Sequence, residues 1–336
     1  MKIVTAISVI GCATAVAWTR YKLQVWERAI HAWEEEMLGA PSLDVSTSVK
    51  ESWNDLPLVV RRYLSAVELS PEGAGITTDL RSLRFSQSGS FLTDPEAQWT
   101  AFSAQQTISA NPPGFVWDAS VAMFPQLPRW PMVQVCDAWV QGKAALKVAL
   151  LNVWEIPFLQ AQGEKMQEEI DQAIELGEAM RWLAESFLVP TSLLPNQGLV
   201  DWSAVLLPDG TEDHTEAILR LKDSFGLPRA LVYVAFDETT GLPTGIAGER
   251  PKWVPSAQRF DMVEWRGYFD DFQHVKISDS ETTVLVPTHM KVGWVNPESG
   301  AIDFYFDGYN HDLRFSGVPR PEMAQQQDTM ETTVMM

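Results

Sequence analysis

The chain opens with an uncharged, largely apolar stretch. Residues 3–19 carry no charged side chain and lie between Lys2 and Arg20. As a helix they would extend about 26 Å, slightly less than the roughly 30 Å hydrocarbon core of a bilayer. Snorkelling of the flanking basic side chains closes this gap. The pattern predicts a membrane anchor or signal segment over residues 1–19.

Three interpretations of this segment stay open, and we favour an uncleaved anchor. The second is a cleaved signal peptide, with Lys2 as its basic start, residues 3–10 as its apolar region and residues 13–15, Ala-Thr-Ala, as its cleavage site. The third is a lipoprotein signal, because Val-Ile-Gly at residues 9–11 precedes Cys12. All three place or process the chain at a membrane.

Residues 20–45 predict an amphipathic helix followed by a linker. Gly39 and Pro41 end the helical pattern. The stripe is too short to argue for a coiled coil, so we expect it to pack on the body of the protein. Its apolar residues recur at intervals of 3, 4, 3 and 4: Leu23, Trp26, Ile30, Trp33 and Met37.

Residues 46–318 predict a single α+β domain. Asp55 is expected to cap a short helix ending near Val67, and residues 164–188 carry the helical periodicity of a long helix ended by Pro190. Segments rich in strand formers surround that helix, over residues 80–151 and 199–309. This order predicts a large curved antiparallel β-sheet, half-barrel-like, with helices on one face. Residues 319–336 predict a disordered tail.

Charge and composition narrow the function classes. The net charge of −19 argues against nucleic acid as a partner and against adhesion to anionic lipid. Two cysteines argue against a disulfide scaffold and a thiolate zinc site, and no two of the five histidines have helical metal-ligand spacing. Nucleotide-binding and nucleophile motifs are missing from the sequence. We therefore expect no metal, no cofactor and no catalytic residue.

Three charged residues of the long predicted helix share one face. Arg181 follows Glu178 by three positions and precedes Glu185 by four. They form either an exposed ion-pair ladder or an arginine held between two carboxylates at the wall of a pocket. Trp117 and Asp118 are adjacent in a predicted strand and therefore face opposite sides of the sheet.

Several motifs together resemble a bacterial family of unknown function, of the DUF6544 type. The resemblance covers residues 55–305 and implies an N-terminal membrane segment, and no established activity comes with it. The order of strands and helix is similar to the half-barrels of lipoprotein carriers. Trp182 departs from the family's usual Arg-Tyr pair. The motifs are Leu56-Pro57, Arg62-Tyr63-Leu64, residues 99–106, residues 113–119, Asp137 with Gly142, Glu178, residues 181–185, residues 190–195, Trp202, Arg250, residues 265–267 and residues 292–294.

These observations favour a membrane-tethered, non-enzymatic protein that binds an apolar or lipid-like ligand on the concave face of its sheet. Arg181 or Arg250 would hold an acidic head group. One alternative is an enzyme with a polar cleft around Arg181, Glu185 and Asp118. Another is a scaffold that contacts a partner protein through residues 23–37. The candidate ligand-binding residues are Trp99, Gln106, Trp117, Asp118, Glu178, Arg181, Glu185, Arg250 and Trp265.

If residues 1–19 are an uncleaved anchor, the full-length chain should stay in the membrane fraction after washes with carbonate and with high salt. Recovery of the full-length chain in the soluble fraction would contradict the anchor. N-terminal sequencing separates the remaining interpretations, because a mature end at Cys12 indicates a lipoprotein and one at Val16 indicates signal cleavage.

Overall fold

A computed structural model describes residues 2–43, 53–69, 78–92, 98–123, 132–151, 154–156, 164–194, 199–222, 226–277 and 282–319. Three α-helices are present in these residues: α1 (Lys2–Gly39), α2 (Leu58–Ala66) and α3 (Glu164–Glu185). The linker that follows α1 and the tail after residue 319 lie largely outside the described residues, as does the first stretch of the predicted domain.

In the described ranges, thirteen strands form one antiparallel sheet that does not close. Its spatial order is β6-β5-β4-β3-β2-β1-β13-β12-β11-β10-β9-β8-β7, so the first and last strands of the chain pair at its centre. The predicted antiparallel α+β architecture is confirmed. The strands are β1 (Thr78–Phe91), β2 (Thr100–Ser109), β3 (Gly114–Ala122), β4 (Met132–Val140), β5 (Lys143–Leu150), β6 (Trp154–Ile156), β7 (Val200–Leu206), β8 (Glu212–Leu221), β9 (Leu231–Phe236), β10 (Pro243–Val254), β11 (Arg259–Lys276), β12 (Thr283–Val295) and β13 (Ile302–Pro319).

The sheet curves around α3. This helix contacts β3, β4 and β5 on one arm of the sheet and β8 to β11 on the other. Strands that are far apart in the sheet can meet one helix only if the sheet bends toward it. The side chains of Trp182 and Leu183 are fully buried in the resulting core, and Trp182 Nε1 donates to the carbonyl oxygen of Ser109 at 2.9 Å.

Helix α2 packs on the same concave side as α3. Tyr63 is buried there, with its ring 5.5 Å from that of Phe187 and 5.8 Å from that of Phe236. The helix begins at Leu58, with Pro57 at its N-cap, and Asp55 belongs to a separate 3-10 turn, Trp53–Asp55. Asp55 therefore does not cap it, because the chain turns once before the helix starts.

Helix α1, which precedes the sheet in sequence, packs on its convex face, opposite α2 and α3. Its apolar stripe meets alternate residues of β3 and β4, and together they form a second hydrophobic cluster. Polar contacts fix the helix further, because Trp26 Nε1 donates to Asp118 Oδ1 at 3.0 Å and Glu34 accepts from Thr107 Oγ1 at 2.6 Å. The stripe over residues 23–37 is thus covered by the protein's own sheet.

Among the residues that the structure describes, no helix is both long and apolar enough to cross a membrane.

The two central strands, β1 and β13, approach so closely at Gly89 that a side chain would not fit there. Gly89 of β1 lies opposite Gly308 of β13, and a Cβ atom added to Gly89 would lie 2.0 Å from the carbonyl oxygen of Asp307. Glycine is required there because the neighbouring strand's backbone occupies the space that a side chain would need.

We expect Gly89→Ala to lower the free energy of unfolding by about 1–3 kcal/mol, because the added methyl group forces the two central strands apart. Gly39→Ala is the matched control, since a Cβ atom at Gly39 meets nothing within 4 Å. Urea denaturation of the two variants checks this, and equal midpoints would contradict the close strand approach.

Candidate functional site

A cavity lies between the two arms of the sheet and beside α3. Its volume is about 360 Å³, within the range of pockets that bind small molecules. Inward-facing residues of β3, β4 and β5 form one wall, and those of β10 to β13 form the other. The apolar part of the lining includes Phe91, Val121, Val135, Leu146, Val148, Ile246, Phe269, Met290, Val292 and Phe306.

Arg181 places a charged cluster at one wall of this cavity. Its Nε donates to Glu185 Oε1 at 2.8 Å, and its Nη1 donates to Asp137 Oδ2 at 2.6 Å. Glu185 also accepts from Gln106 Nε2 at 2.5 Å. The guanidinium group therefore joins α3 to β4, and through Glu185 to β2.

Aromatic rings hold the Arg181 guanidinium group in place. Its Cζ lies 4.3 Å from the centre of the Phe115 ring and 5.3 Å from that of Trp117, so both rings supply cation–π attraction. Trp117 Nε1 donates to Gln87 Oε1 at 2.9 Å, and Gln87 in turn donates to Asn310 Oδ1 at 2.8 Å. Trp117, Gln87 and Asn310 thus form one chain of hydrogen bonds along this wall.

Arg250 lies on β10, in the opposite wall of the cavity, and connects that wall to α3. Its Nε donates to the carbonyl oxygen of Gly177 at 3.0 Å, and its Nη2 donates to Glu178 Oε1 at 3.3 Å. Its Nη1 lies 3.4 Å from the hydroxyl oxygen of Tyr305, which also accepts from Trp265 Nε1 at 3.0 Å. Each arm of the sheet is therefore tied to α3 by one arginine.

Burial changes the protonation of this cluster. Burial raises the pKa of Glu178 from 4.5 to about 8, with Asp137 adding to the rise and Arg250 and Arg181 opposing it. Burial by itself lowers the pKa of Arg181, but the carboxylates of Glu185 and Asp137 outweigh it and raise that pKa above its ordinary value. At neutral pH Glu178 is therefore mostly protonated, and Arg181 is always charged.

Five of the residues singled out in the sequence line the cavity: Trp117, Arg181, Glu185, Arg250 and Trp265. Gln106 and Glu178 stand behind them, bonded to Glu185 and Arg250. Of the two interpretations of the helix face, the structure shows the arginine between carboxylates at a pocket wall, although the second carboxylate is Asp137 rather than Glu178.

Asp118 and Trp99 are not part of this site. Asp118 lies on the convex face, where it accepts from Trp26 and from Gln134 Nε2, because strand alternation sends it away from Trp117. Burial raises the pKa of Asp118, and those two hydrogen bonds oppose the rise. Trp99 precedes β2 and is 39% exposed. The expected polar cleft of Arg181, Glu185 and Asp118 therefore does not form.

Asp137 and Tyr305 were missed among the candidate residues. Asp137 follows Val133 and Val135 on the inward face of β4 and precedes Trp139 there, so it is the one carboxylate in an otherwise apolar alternation. A carboxylate in such a position needs a cationic partner, and that was a usable signal. Tyr305 had no comparable signal, because β13 is partly exposed on both faces.

Residues 54–315 match the family described as "Family of unknown function (DUF6920)". The chain belongs to this family. The resemblance to a family of unknown function is thereby confirmed, while the family's number differs from the DUF6544 type expected. A comparison with curated protein sequences finds no match.

One solved structure similar to this DUF6920 chain is the crystal structure of a DUF1329 family protein from Desulfovibrio piger ATCC 29098. It is 12% identical, with a TM-score of 0.35, and the match covers 70% of this chain and 86% of that one.

Both carboxylates at the Arg181 wall are engaged with its guanidinium group, and Glu178 is bonded to Arg250. Within the described ranges, no group of three or more His, Cys, Asp or Glu side chains could hold a metal ion. The site offers a mainly apolar cavity with a polar wall.

Replacing Arg181 with alanine should lower the free energy of unfolding by roughly 3 kcal/mol, because Asp137 and Glu185 would be left without their cation in a buried site. Arg259→Ala is the control, since Arg259 forms an exposed pair with Asp261 and should cost under about 1 kcal/mol. Chemical denaturation of both variants at neutral pH tests this. Equal losses would contradict the structural role of Arg181.

The raised pKa of Glu178 predicts a pH dependence of stability. The folded protein keeps a proton that the unfolded chain loses near pH 4.5, so Glu178 destabilises the fold progressively as pH rises from 4.5 to about 8. Glu178→Gln removes this contribution while keeping the oxygen that accepts from Arg250.

We therefore expect the stability of Glu178→Gln relative to wild type to increase across that pH range in urea denaturation. Glu168→Gln on the exposed part of α3 is the control and should show no such trend. A constant difference between wild type and Glu178→Gln would show that the carboxyl group titrates normally.

Proposed function

We propose that this protein binds a small apolar, lipid-like ligand in the cavity between the two arms of its sheet. The observation that carries the proposal is the cavity itself, which is bounded by side chains of both arms and by α3. Aliphatic and aromatic residues dominate its surface, and each CH₂ group buried there contributes roughly 0.8 kcal/mol of binding free energy.

The rigidity of the walls supports this proposal. The strands that form the cavity belong to one continuous hydrogen-bonded sheet, and Arg181 and Arg250 tie both arms to the same helix. A cavity with fixed walls does not have to be ordered when the ligand arrives, which lowers the entropic cost of binding. The site is therefore suited to a ligand that enters without major rearrangement.

We further propose that the protein is tethered to a membrane by its N-terminal segment. The uncharged residues 3–19 support this, as does the continuity of α1 from Lys2 to Gly39, which would hold the sheet directly beside the membrane. A tethered domain of this kind would meet apolar ligands at the membrane where they are concentrated. The tether and the ligand are independent proposals, and each can fail without the other.

Filling the cavity should abolish ligand binding. We expect Val292→Trp, and separately Val148→Phe, to prevent co-purification of any organic-extractable ligand, because both residues face the cavity. Met262→Trp is the matched control, since Met262 is 52% exposed and does not line the cavity.

Mass spectrometry of solvent extracts from the three variants and the wild type provides the comparison, followed by titration with alcohols of increasing chain length. Affinity should rise with chain length until the cavity is full. No extracted ligand and no length-dependent binding in the wild type would rule out the proposal.

A further inference from the structure

Each cationic side chain around the cavity already has an acidic side chain of the protein beside it. The cationic side chains that line its described part are Arg181, Arg250 and Lys291. Arg181 contacts two carboxylates, Arg250 contacts Glu178, and Lys291 Nζ lies 3.1 Å from Asp307 Oδ2. Glu178 is mostly protonated at neutral pH, so the charge of Arg250 is balanced within the whole cluster, where Asp137 and Glu185 both face Arg181.

The acidic and basic groups of the cluster nearly cancel in charge, so a charged ligand would bind less favourably than an uncharged one. Asp137, Glu178 and Glu185 supply three carboxyl groups against the two guanidinium groups of Arg181 and Arg250. With a proton on Glu178 the cluster is neutral, and without it the cluster carries one excess negative charge. An anionic ligand would add an unpaired buried charge in either state, and a cationic ligand would do so in the neutral state.

Tyr305 supplies the polar contact that an uncharged ligand needs. Its hydroxyl oxygen accepts from Trp265 Nε1 and lies within reach of Arg250 Nη1. Both partners are donors only, so the hydroxyl proton of Tyr305 points elsewhere. Tyr305 lines the cavity, and its ring is stacked against Trp294 with centres 6.0 Å apart, which fixes the direction of the hydroxyl group.

We infer that the ligand of this cavity is an uncharged apolar molecule carrying a hydroxyl or carbonyl oxygen, which accepts a hydrogen bond from Tyr305. This inference rests on the proposed function and names the chemical class of its ligand. It replaces the expectation that Arg181 or Arg250 holds an acidic head group, because both guanidinium groups are engaged with the protein's own carboxyl groups.

Four probes of equal chain length test the class: decanol, 2-decanone, decanoate and decylamine. The full-length chain is taken from whichever fraction holds it, in nanodiscs if that fraction is the membrane. Equilibrium dialysis measures how much of each probe the wild type binds, and the amount bound by the Val292→Trp variant is subtracted as background. At neutral pH we expect decanol and 2-decanone to bind at least about tenfold more tightly than decanoate and decylamine.

The probes also distinguish a failure of this inference from a failure of the proposed function. If decanoate or decylamine binds as tightly as decanol, the inference is overturned while the cavity remains a ligand site. If no probe binds in excess of the filled variant, the proposed function fails and the inference falls with it. Asp137→Asn should narrow the gap between decanol and decanoate, and the control Glu175→Gln, which removes a carboxylate outside the cavity lining, should leave it unchanged.

Tyr305→Phe tests the hydrogen bond directly. We expect the affinity of 2-decanone to fall about three- to tenfold, the range for one neutral hydrogen bond. The carbonyl stretching band of bound 2-decanone should lie at lower wavenumber than in hexane, and the shift should vanish in the variant. An unshifted band in the wild type would overturn the role of Tyr305 even if affinity falls, since lost packing alone lowers affinity.

Discussion

The packing of both arms of the sheet on α3 is the constraint on which the rest of the molecule depends. A sheet of thirteen antiparallel strands has no closed hydrogen-bonded circuit to fix its curvature. Its curvature is fixed instead by what lies on the concave face, where Trp182, Leu183 and Phe187 are buried against strands of both arms. The cavity exists because α3 fills only part of the space that the bent sheet encloses.

The two arginines explain how a polar wall is stable in such a core. Each guanidinium group carries a permanent charge, and each is placed where a carboxyl group from a neighbouring element reaches it. Arg181 contacts rings of β3 as well, so its burial is offset by cation–π attraction in addition to its ion pairs. The same contacts that hold the arms to α3 engage both guanidinium groups with the protein's own carboxyl groups.

The sequence was sufficient for the parts of the structure that repeat a local pattern. The spacing of Glu178, Arg181 and Glu185 placed them on one helix face, and strand alternation separated Trp117 from Asp118. The packing of α1 on the convex face could not be derived. An apolar stripe such as that from Trp26 to Met37 indicates that a helix packs on another element, but it does not indicate which face of a sheet that is. Tyr305 could not be found either, since its role arises from Trp265 and Arg250, which are distant in sequence and meet it only after the strands pair.

A crystal structure of the protein soaked with 10-bromodecanol would test the proposed ligand site most directly, with anomalous scattering used to locate the bromine atom. We expect a bromine peak among the apolar walls, near Val148 and Val292, with the hydroxyl oxygen of the ligand within hydrogen-bonding distance of Tyr305. A peak on the convex face beside α1, or a hydroxyl group bound to Arg181 in place of Asp137, would contradict it.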